Sequence, residues 1–390
     1  MDWSFLIRNK ESLFVTTDSR KVTSGAVFVA LKGEHFDGND FVDQAKAQGA
    51  EYVISGENAL AELQDLARAW RRELGLPILG ITGTNGKTTT KELCAAVLKT
   101  KYNLYYTQGN LNNQIGVPLT LLSITRAHEM AIVEMGASHP GDIKELVEIA
   151  EPNFGLITNV GKAHLQGFGS FEGVQRTKAE LYEWIVNHGG TIFRNADNPY
   201  LRTMLGNLGN LGHLGNLVKY RTGVMPEGTH LVGGYNAENV SAAICVGKHF
   251  GISEEDALAA IRAYVPSNNR SQFMQTERNT VVVDAYNANP TSMTAAINAF
   301  KGNCYILGAM RELGEYSHLE HQNIVNMLLE RKAEKVLLVG EEYKETTAPY
   351  PIYENVEALC EALRKEPLCG YNILLKGSRS NQLEKVIPLL

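Results

Sequence analysis

An α/β architecture built on parallel sheets, in more than one domain, is expected from three features of this chain. Short apolar runs alternate with helical stretches from Pro77 onward. A glycine-rich loop, Gly83-Thr84-Asn85-Gly86-Lys87-Thr88, lies directly between one such run and a helix start. The chain has 390 residues, which is long for one domain. Alternation of this kind implies parallel strands joined by crossover helices, with ligands at the carboxyl ends of the strands.

Within residues 1–76, Val27 to Leu31 is an apolar run suited to a strand. Gly33 and Asp37-Gly38 are turn signals, and helical patterns follow from Phe41 to Gln48 and from Ala59 to Leu74. Gly75 and Pro77 mark a boundary. Next, "ILGIT" reads as a buried strand and "TTTKELCAAVLKTK" as a helix with Leu93, Val97 and Leu98 on one face. "MAIVEMGA" and "FGLITNVG" are further strands ending at polar residues, with the helix "PGDIKELVEIA" between them. After Pro266 the pattern repeats, with strands at "TVVVDAY", "NCYILGA", "KVLLVG" and "YNILLKG". Domains at 1–76, 77–266 and 267–390 follow. The near-repeat "LGNLGNLGHLGNL", Leu205 to Leu217, is too short for a solenoid and reads as a flexible or tightly turning connector.

An apolar share of 44% against 21% charged residues allows a sizeable core. The net charge of −6 argues against a general binder of nucleic acid or anionic membrane, so any phosphate must be held by locally placed groups. The five cysteines form no C-x-x-C pair and are expected to be reduced and buried. The N-terminus lacks a basic leader pattern and no apolar run approaches a membrane span, which points to a cytoplasmic protein without membrane insertion.

The loop departs from the usual phosphate-loop spacing. The place five residues before Gly86 is Ile81, and the earlier glycines are Gly80 and Gly83. Its setting matters more than its spacing: backbone N–H groups at a helix start point at an anion, and glycines let the chain approach closely. Lys87 would reach terminal phosphates and the Thr88 hydroxyl would hold magnesium, with Thr89 next in line. An ordinary strand–helix turn is the competing reading. Phosphoryl transfer also needs counter-charge. Glu134 follows "AIV" where the run turns polar, and His164 follows "LITNVGKA". Each alone is more often a solvated or hydrogen-bonded structural residue, and Lys178 alone a surface helix lysine.

Together these residues resemble the Mur ligases of peptidoglycan synthesis, whose loop is G-x-[NS]-G-K-T-[TS]. The resemblance rests on "NLNNQIGVPLTLL" (110–122), "VEMGASHPGDI" (133–143), "ITNVGKAHLQGFGSFEGV" (157–174), "DAYNANPTSM" (284–293), "LGAMRELGEYSHLEHQ" (307–322) and "LLKGSRSNQLE" (374–384). It implies a UDP-sugar domain, a central ATP-binding domain and a Rossmann-like C-terminal domain. The best match is to members that join D-Ala-D-Ala to UDP-N-acetylmuramoyl-tripeptide through an acyl phosphate, acting as monomers. By resemblance, Ser19, Arg20, Asp37 and Gly38 belong to the UDP-sugar site, and Asn112 and Asn113 lie near the reacting groups. Glu134 and His164 fall where the family binds two magnesium ions, and Lys178 matches its carbamylated lysine. Asn236, with Asn239 nearby, would read adenine, Arg270 would meet the terminal phosphate and Asp284 the ribose. Lys376, Ser378 and Arg379 would face the substrates on closure about a hinge at Pro266 to Asn269, with Tyr286, Asn287 and Asn289 lining the same cleft.

The chain departs from the family pattern at Tyr235 (usually His), Asn269 (Gly) and Ala309 (Asp), and it is shortened around 202–232. Rival readings are another Mur or folylpolyglutamate-type amide ligase, a nucleotide-binding homologue with lost catalysis, or a simple ATPase.

Overall fold

Parallel β structure organises the chain into three sheets in the computed structural model, which describes residues 2–34, 36–207, 216–266 and 270–390. By internal contacts the residues form two compact units that interleave along the sequence. The first holds Met1–Gly83, Leu98–Thr158 and Arg176–Tyr220; the second holds Thr84–Val97, Asn159–Gln175 and Arg221–Leu390.

The first unit contains two of the sheets. A small one pairs β1 (Val15–Thr16), β2 (Val27–Val29) and β3 (Tyr52–Ile54) in parallel. The other has six parallel strands: β4 (Ile78–Thr82), β5 (Leu104–Tyr106), β6 (Met130–Glu134), β7 (Phe154–Ile157), β8 (Thr191–Asn195) and β9 (Asn216–Tyr220). Their order is β5-β6-β4-β7-β8-β9. β4 and β6 are buried along their whole length, which explains continuous apolar runs rather than alternation. From β4 the chain moves to one side of the sheet, and from β6 it crosses to the other. The carboxyl end of β4 is thus a switch point of the kind where such sheets bind ligands. The helix Ala59–Leu74 buries Leu63, Leu66, Ala67 and Trp70, an apolar stripe at helical spacing, and stops at Gly75 in the left-handed region.

The second unit carries the third sheet: β10 (Gln272–Gln275), β11 (Thr280–Asp284), β12 (Cys304–Gly308), β13 (Lys335–Val339), β14 (Ile352–Tyr353) and β15 (Asn372–Lys376). Its order is β10-β11-β15-β12-β13-β14, with only β10 antiparallel among the described strands. Alternate residues feed opposite cores. Val281, Val283, Ile306, Leu337, Ile373 and Leu375 pack on one face, and Val282, Leu307, Leu338 and Leu374 on the other. Both faces are covered by apolar side chains, as doubly wound folds require.

The strand at Val27 is shorter than expected, ending at Val29, and the connector reading at Leu205–Leu217 changes at its ends. Leu205 to Asn207 close the helix Pro199–Asn207, and Asn216 and Leu217 open β9; the rest lies outside the described residues, as do Ser267 to Asn269 of the expected hinge. The cysteine expectation needs correction. All five are free, but Cys369 is exposed and Cys245 half-buried, because they sit on a loop and at a partly covered helix position. No helix among the described residues is long and apolar enough to cross a membrane.

Candidate nucleotide site

β4 delivers the chain to Gly83, and the helix Lys87–Leu98 begins four residues later. Two glycines in this turn cannot be replaced without strain. Gly83 has φ 144°, and a Cβ there would sit 2.0 Å from the Thr158 hydroxyl. Gly86 has φ 78°, and its Cβ would meet Asn239 Oδ1 at 2.5 Å. The loop therefore lies flush against its surroundings with its backbone groups at the helix start.

The remaining loop residues are held by side chains from elsewhere in the second unit. Asn159, just past the end of β7, accepts the Asn85 N–H at 3.0 Å and donates to the Asn85 carbonyl at 3.1 Å. The Thr84 hydroxyl accepts the Gly161 N–H at 2.9 Å. Lys87 Nζ donates to the Thr84 carbonyl at 3.1 Å, curling the side chain over the loop. Asn289 Nδ2 donates to Asn85 Oδ1 at 2.8 Å. Thr88 and Thr89 are buried at the helix start. Behind them the Thr90 hydroxyl donates to Asn239 Oδ1 at 3.0 Å, and Asn239 Nδ2 donates to Asn236 Oδ1 at 2.9 Å. Asn236 Nδ2 in turn donates to the Val232 carbonyl. The asparagines expected at adenine are thereby coupled to the loop helix itself.

A second group surrounds the end of β11. Lys376, almost fully buried, donates to Asp284 Oδ2 at 2.6 Å and to the Asn287 carbonyl at 3.2 Å. Asp284 Oδ1 accepts the Ser271 N–H at 3.4 Å, and the Ser271 hydroxyl bonds the Tyr235 hydroxyl at 2.7 Å. Burial raises the Tyr235 pKa, and the nearby Asp284 carboxylate raises it further. The phenol at the position where the family has His therefore stays protonated and neutral. The Arg270 guanidinium stacks 3.9 Å from the centre of the Tyr286 ring, with Arg379 at 5.5 Å from the same ring. Arg270 Nε is buried with no hydrogen-bond partner among the described residues. Ser378 is turned inward as a cap, its hydroxyl bonded to Asn381 Oδ1 at 2.7 Å. Ala309 is buried in the core and its N–H bonds the Val339 carbonyl.

His164 stands in the left-handed region at φ 49° and its Nδ1 contacts the Glu312 carboxylate, whose own residue has φ 61°. Such strain gathers at functional sites. A ring whose Nδ1 faces a carboxylate can offer only Nε2 to a further partner.

In the first unit, Glu134 ends β6 with 1% of its surface exposed and accepts from Asn112 Nδ2 at 2.8 Å. Asn113 instead turns the chain into the helix Gly116–Leu122, its Oδ1 accepting the Gly116 N–H at 2.9 Å. Lys178 exposes 2% of its surface, which rules out the surface-lysine reading. Arg20 is clasped by Asp18 through Nε and Nη2, both at 2.8 Å, and this pairing pulls the Asp18 carboxyl down to about 2. Ser19 lies in the same short turn. Asp37 caps the turn Gly38–Phe41, where Gly38 sits against the Leu31 backbone.

Models of the Mur ligase middle domain, the Mur ligase glutamate ligase domain and the Mur ligase catalytic domain match residues 81–220, 269–379 and 12–96. The UDP-N-acetylmuramoyl-tripeptide–D-alanyl-D-alanine ligase of Bacillus subtilis strain 168 is 32% identical, over 96% of this chain and 92% of its own length. The chain belongs to the Mur ligase family. Another Mur ligase, the enzyme of the same name from Escherichia coli K12, is 31% identical over 96% of this chain and 93% of its own. Among solved Mur ligases, the MurF of Thermotoga maritima in complex with ADP matches with a TM-score of 0.83 at 27% identity, covering 98% of both chains. The MurF of Acinetobacter baumannii matches with a TM-score of 0.83, covering 96% of this chain and 92% of that one.

Sequence reasoning missed Asn159, Thr90, Ser271 and Glu312. Asn159 was open to the rule that selects Glu134, a polar side chain where a buried parallel strand ends. Glu312 carries no such signal, because a charged residue in a loop is usually solvated.

Proposed function

We propose that this Mur ligase joins D-Ala-D-Ala to UDP-N-acetylmuramoyl-tripeptide at the expense of ATP, in peptidoglycan precursor synthesis. The observation that carries the reading is the Asn-clamped glycine loop at the switch point of a parallel sheet, in a chain that spans nearly the full length of ligases so named. A carboxylate is a poor electrophile. In this reading the terminal carboxylate of the tripeptide attacks the γ-phosphorus of ATP, ADP leaves, and an acyl phosphate forms. The amine of D-Ala-D-Ala then attacks the acyl carbon to form the C–N bond, the C–O bond to phosphate breaks, and phosphate leaves with its electron pair as the amine gives up a proton.

Gly83 to Thr89 bind the phosphates through backbone N–H groups, and Lys87 and Arg270 offset charge where two anions meet. Asn236 reads adenine and Asp284 the ribose, for which the Lys376–Asp284 pair must share its oxygens. Thr88, Glu134, His164 through Nε2, and Lys178 as a carbamate would hold magnesium; the hydroxyl and buried carboxylate oxygens are donors that suit this hard cation. Magnesium bound there would neutralise phosphate charge. Asn112 orients Glu134. Ser19, Arg20, Asp37 and Gly38 take the UDP-sugar, Arg20 exchanging Asp18 for an anionic ligand. Asn113, Tyr286, Asn287, Ser378 and Arg379 shape the substrate cleft. We infer three functional domains, 1–76, 77–266 and 267–390, in a monomer acting in the cytoplasm, where ATP and UDP-linked precursors are made.

The deciding experiment measures phosphate release with the UDP-linked tripeptide, with and without D-Ala-D-Ala, and identifies the product by mass. Release that depends on the dipeptide, with a product heavier by D-Ala-D-Ala less water, is expected. Release without any acceptor would mark a simple ATPase, and none at all a homologue that only binds.

A further inference from the structure

We propose that Asn289 is a positioning residue for the nucleotide loop, a latch whose side-chain amide fixes Asn85 and ties the loop to the start of the helix Pro290–Ala299. This rests on the reading of Thr84 to Thr89 as the nucleotide loop, and goes beyond it by giving Asn289 a role toward the loop rather than toward substrate.

The two ends of the Asn289 amide do different work. Its Oδ1 accepts the Ser292 N–H at 2.9 Å, and its own N–H bonds the Ser292 hydroxyl at 3.1 Å, completing a capping box. With Oδ1 committed to that donor, Nδ2 must face Asn85, which fixes both amide orientations. The Nδ2 bond to Asn85 Oδ1 is 2.8 Å; the return contact from Asn85 Nδ2 is 3.4 Å and weaker. Asn289 exposes only 5% of its surface, so water competes poorly for this bond.

On its other side Asn85 is gripped through its backbone by Asn159. One loop residue is therefore fixed by two asparagine side chains, from either side of the sequence gap between 159 and 289. The chain beyond Asn159 is tied to the same helix start. The Lys162 N–H donates to the Thr291 hydroxyl at 3.0 Å, and Lys162 Nζ to the buried Glu320 at 2.8 Å.

A phosphate loop works only if its N–H groups already converge before the anion arrives; a loop that must be ordered at binding loses affinity. Asn289 lies five residues beyond Asp284 in "DAYNAN", so the same latch sets the end of β11, with its Asp284–Lys376 pair, against the loop. Breaking it is expected to weaken nucleotide binding by about tenfold, the worth of one well-shielded hydrogen bond.

Asn289→Ser separates latch from cap. Serine caps a helix as well as asparagine, carries no charge and is too short to reach Asn85. ADP with magnesium is titrated calorimetrically into the full chain as wild type, Asn289→Ser, Asn85→Ala and the double variant. Asn289→Ser should weaken ADP about tenfold at an unchanged melting temperature, and add less than twofold in the Asn85→Ala background. KM for ATP should rise likewise while KM for the acceptor stays within twofold. Wild-type-like ADP affinity in Asn289→Ser, or single effects that multiply in the double variant, would overturn the latch. Failure of the wild type to bind ADP would overturn instead the nucleotide-loop reading beneath it.

Discussion

A lysine that exposes 2% of its surface inside the helix Phe171–Asn187 is costly unless its charge is met or changed. The carbamate proposed for Lys178 would change it, turning a cation into an anion able to share a metal with Glu134. Lys178→Ala should lose about 10²–10³ in turnover, the usual cost of removing one electrostatic stabiliser, and regain part of it in acetate or formate. Lys178→Arg keeps the positive charge but cannot form the carbamate, and equal activity in that variant would end the idea. At this scale the sequence was informative where a residue type is rare in its setting: Lys87 after glycine, Glu134 at the end of an apolar run. It was silent where common residues act through geometry. Its place at the end of a buried strand marks Asn159 in "ITNVG" but does not say what it holds, because its two bonds to the Asn85 backbone depend on β7 lying beside β4.

The carboxyl end of β12 depends on one buried imidazole. His321 Nε2 accepts the Met310 N–H at 3.0 Å and its Nδ1 lies 2.7 Å from the Ser317 carbonyl, so the ring must be neutral with the proton on Nδ1. Burial holds its pKa below the usual histidine value. The unfolded chain then binds a proton, at pH below about 6.5, that the folded chain refuses. Stability from this site is complete above that pH and drains away as pH falls, by up to about 1.4 kcal/mol per unit. Urea midpoints at pH 7.5 and 5.5 should differ more in the wild type than in His321→Gln; equal slopes would count against it. Glu180, raised by burial, works in the opposite sense and is common to both proteins. Elements that the sequence revealed are those whose buried strand is a nearly continuous apolar run, such as β4, β6, β12 and β13. The missed strands lack that signature. β8 buries Arg194 and Asn195 among its apolar residues, and β10 is an antiparallel edge whose pattern alternates. β5 has only three residues, too few to show a period.

The chain passes between its two units five times, since each is made of three segments in alternation. One passage is the phosphate loop, where Gly83 ends a segment of the first unit and Thr84 begins one of the second. All three tryptophans, Trp3, Trp70 and Trp184, lie in the first unit, whereas Lys87, Asn236, Arg270 and Asp284 lie in the second. Indole fluorescence therefore reports unfolding of a unit that holds none of those four proposed nucleotide contacts. Binding to the folded chain alone stabilises it by about 2.7 kcal/mol at a hundredfold excess over Kd. If the units unfolded independently, that gain would appear in far-UV circular dichroism and leave the tryptophan midpoint fixed. We expect both midpoints to rise together with ADP and magnesium. Five chain crossings join the two units, and β4 is covalently continuous with the loop proposed to bind phosphate. In Lys87→Ala, which should retain the fold and lose ligation, neither midpoint should move. A tryptophan transition that ignores ADP in the wild type would show that the units unfold separately.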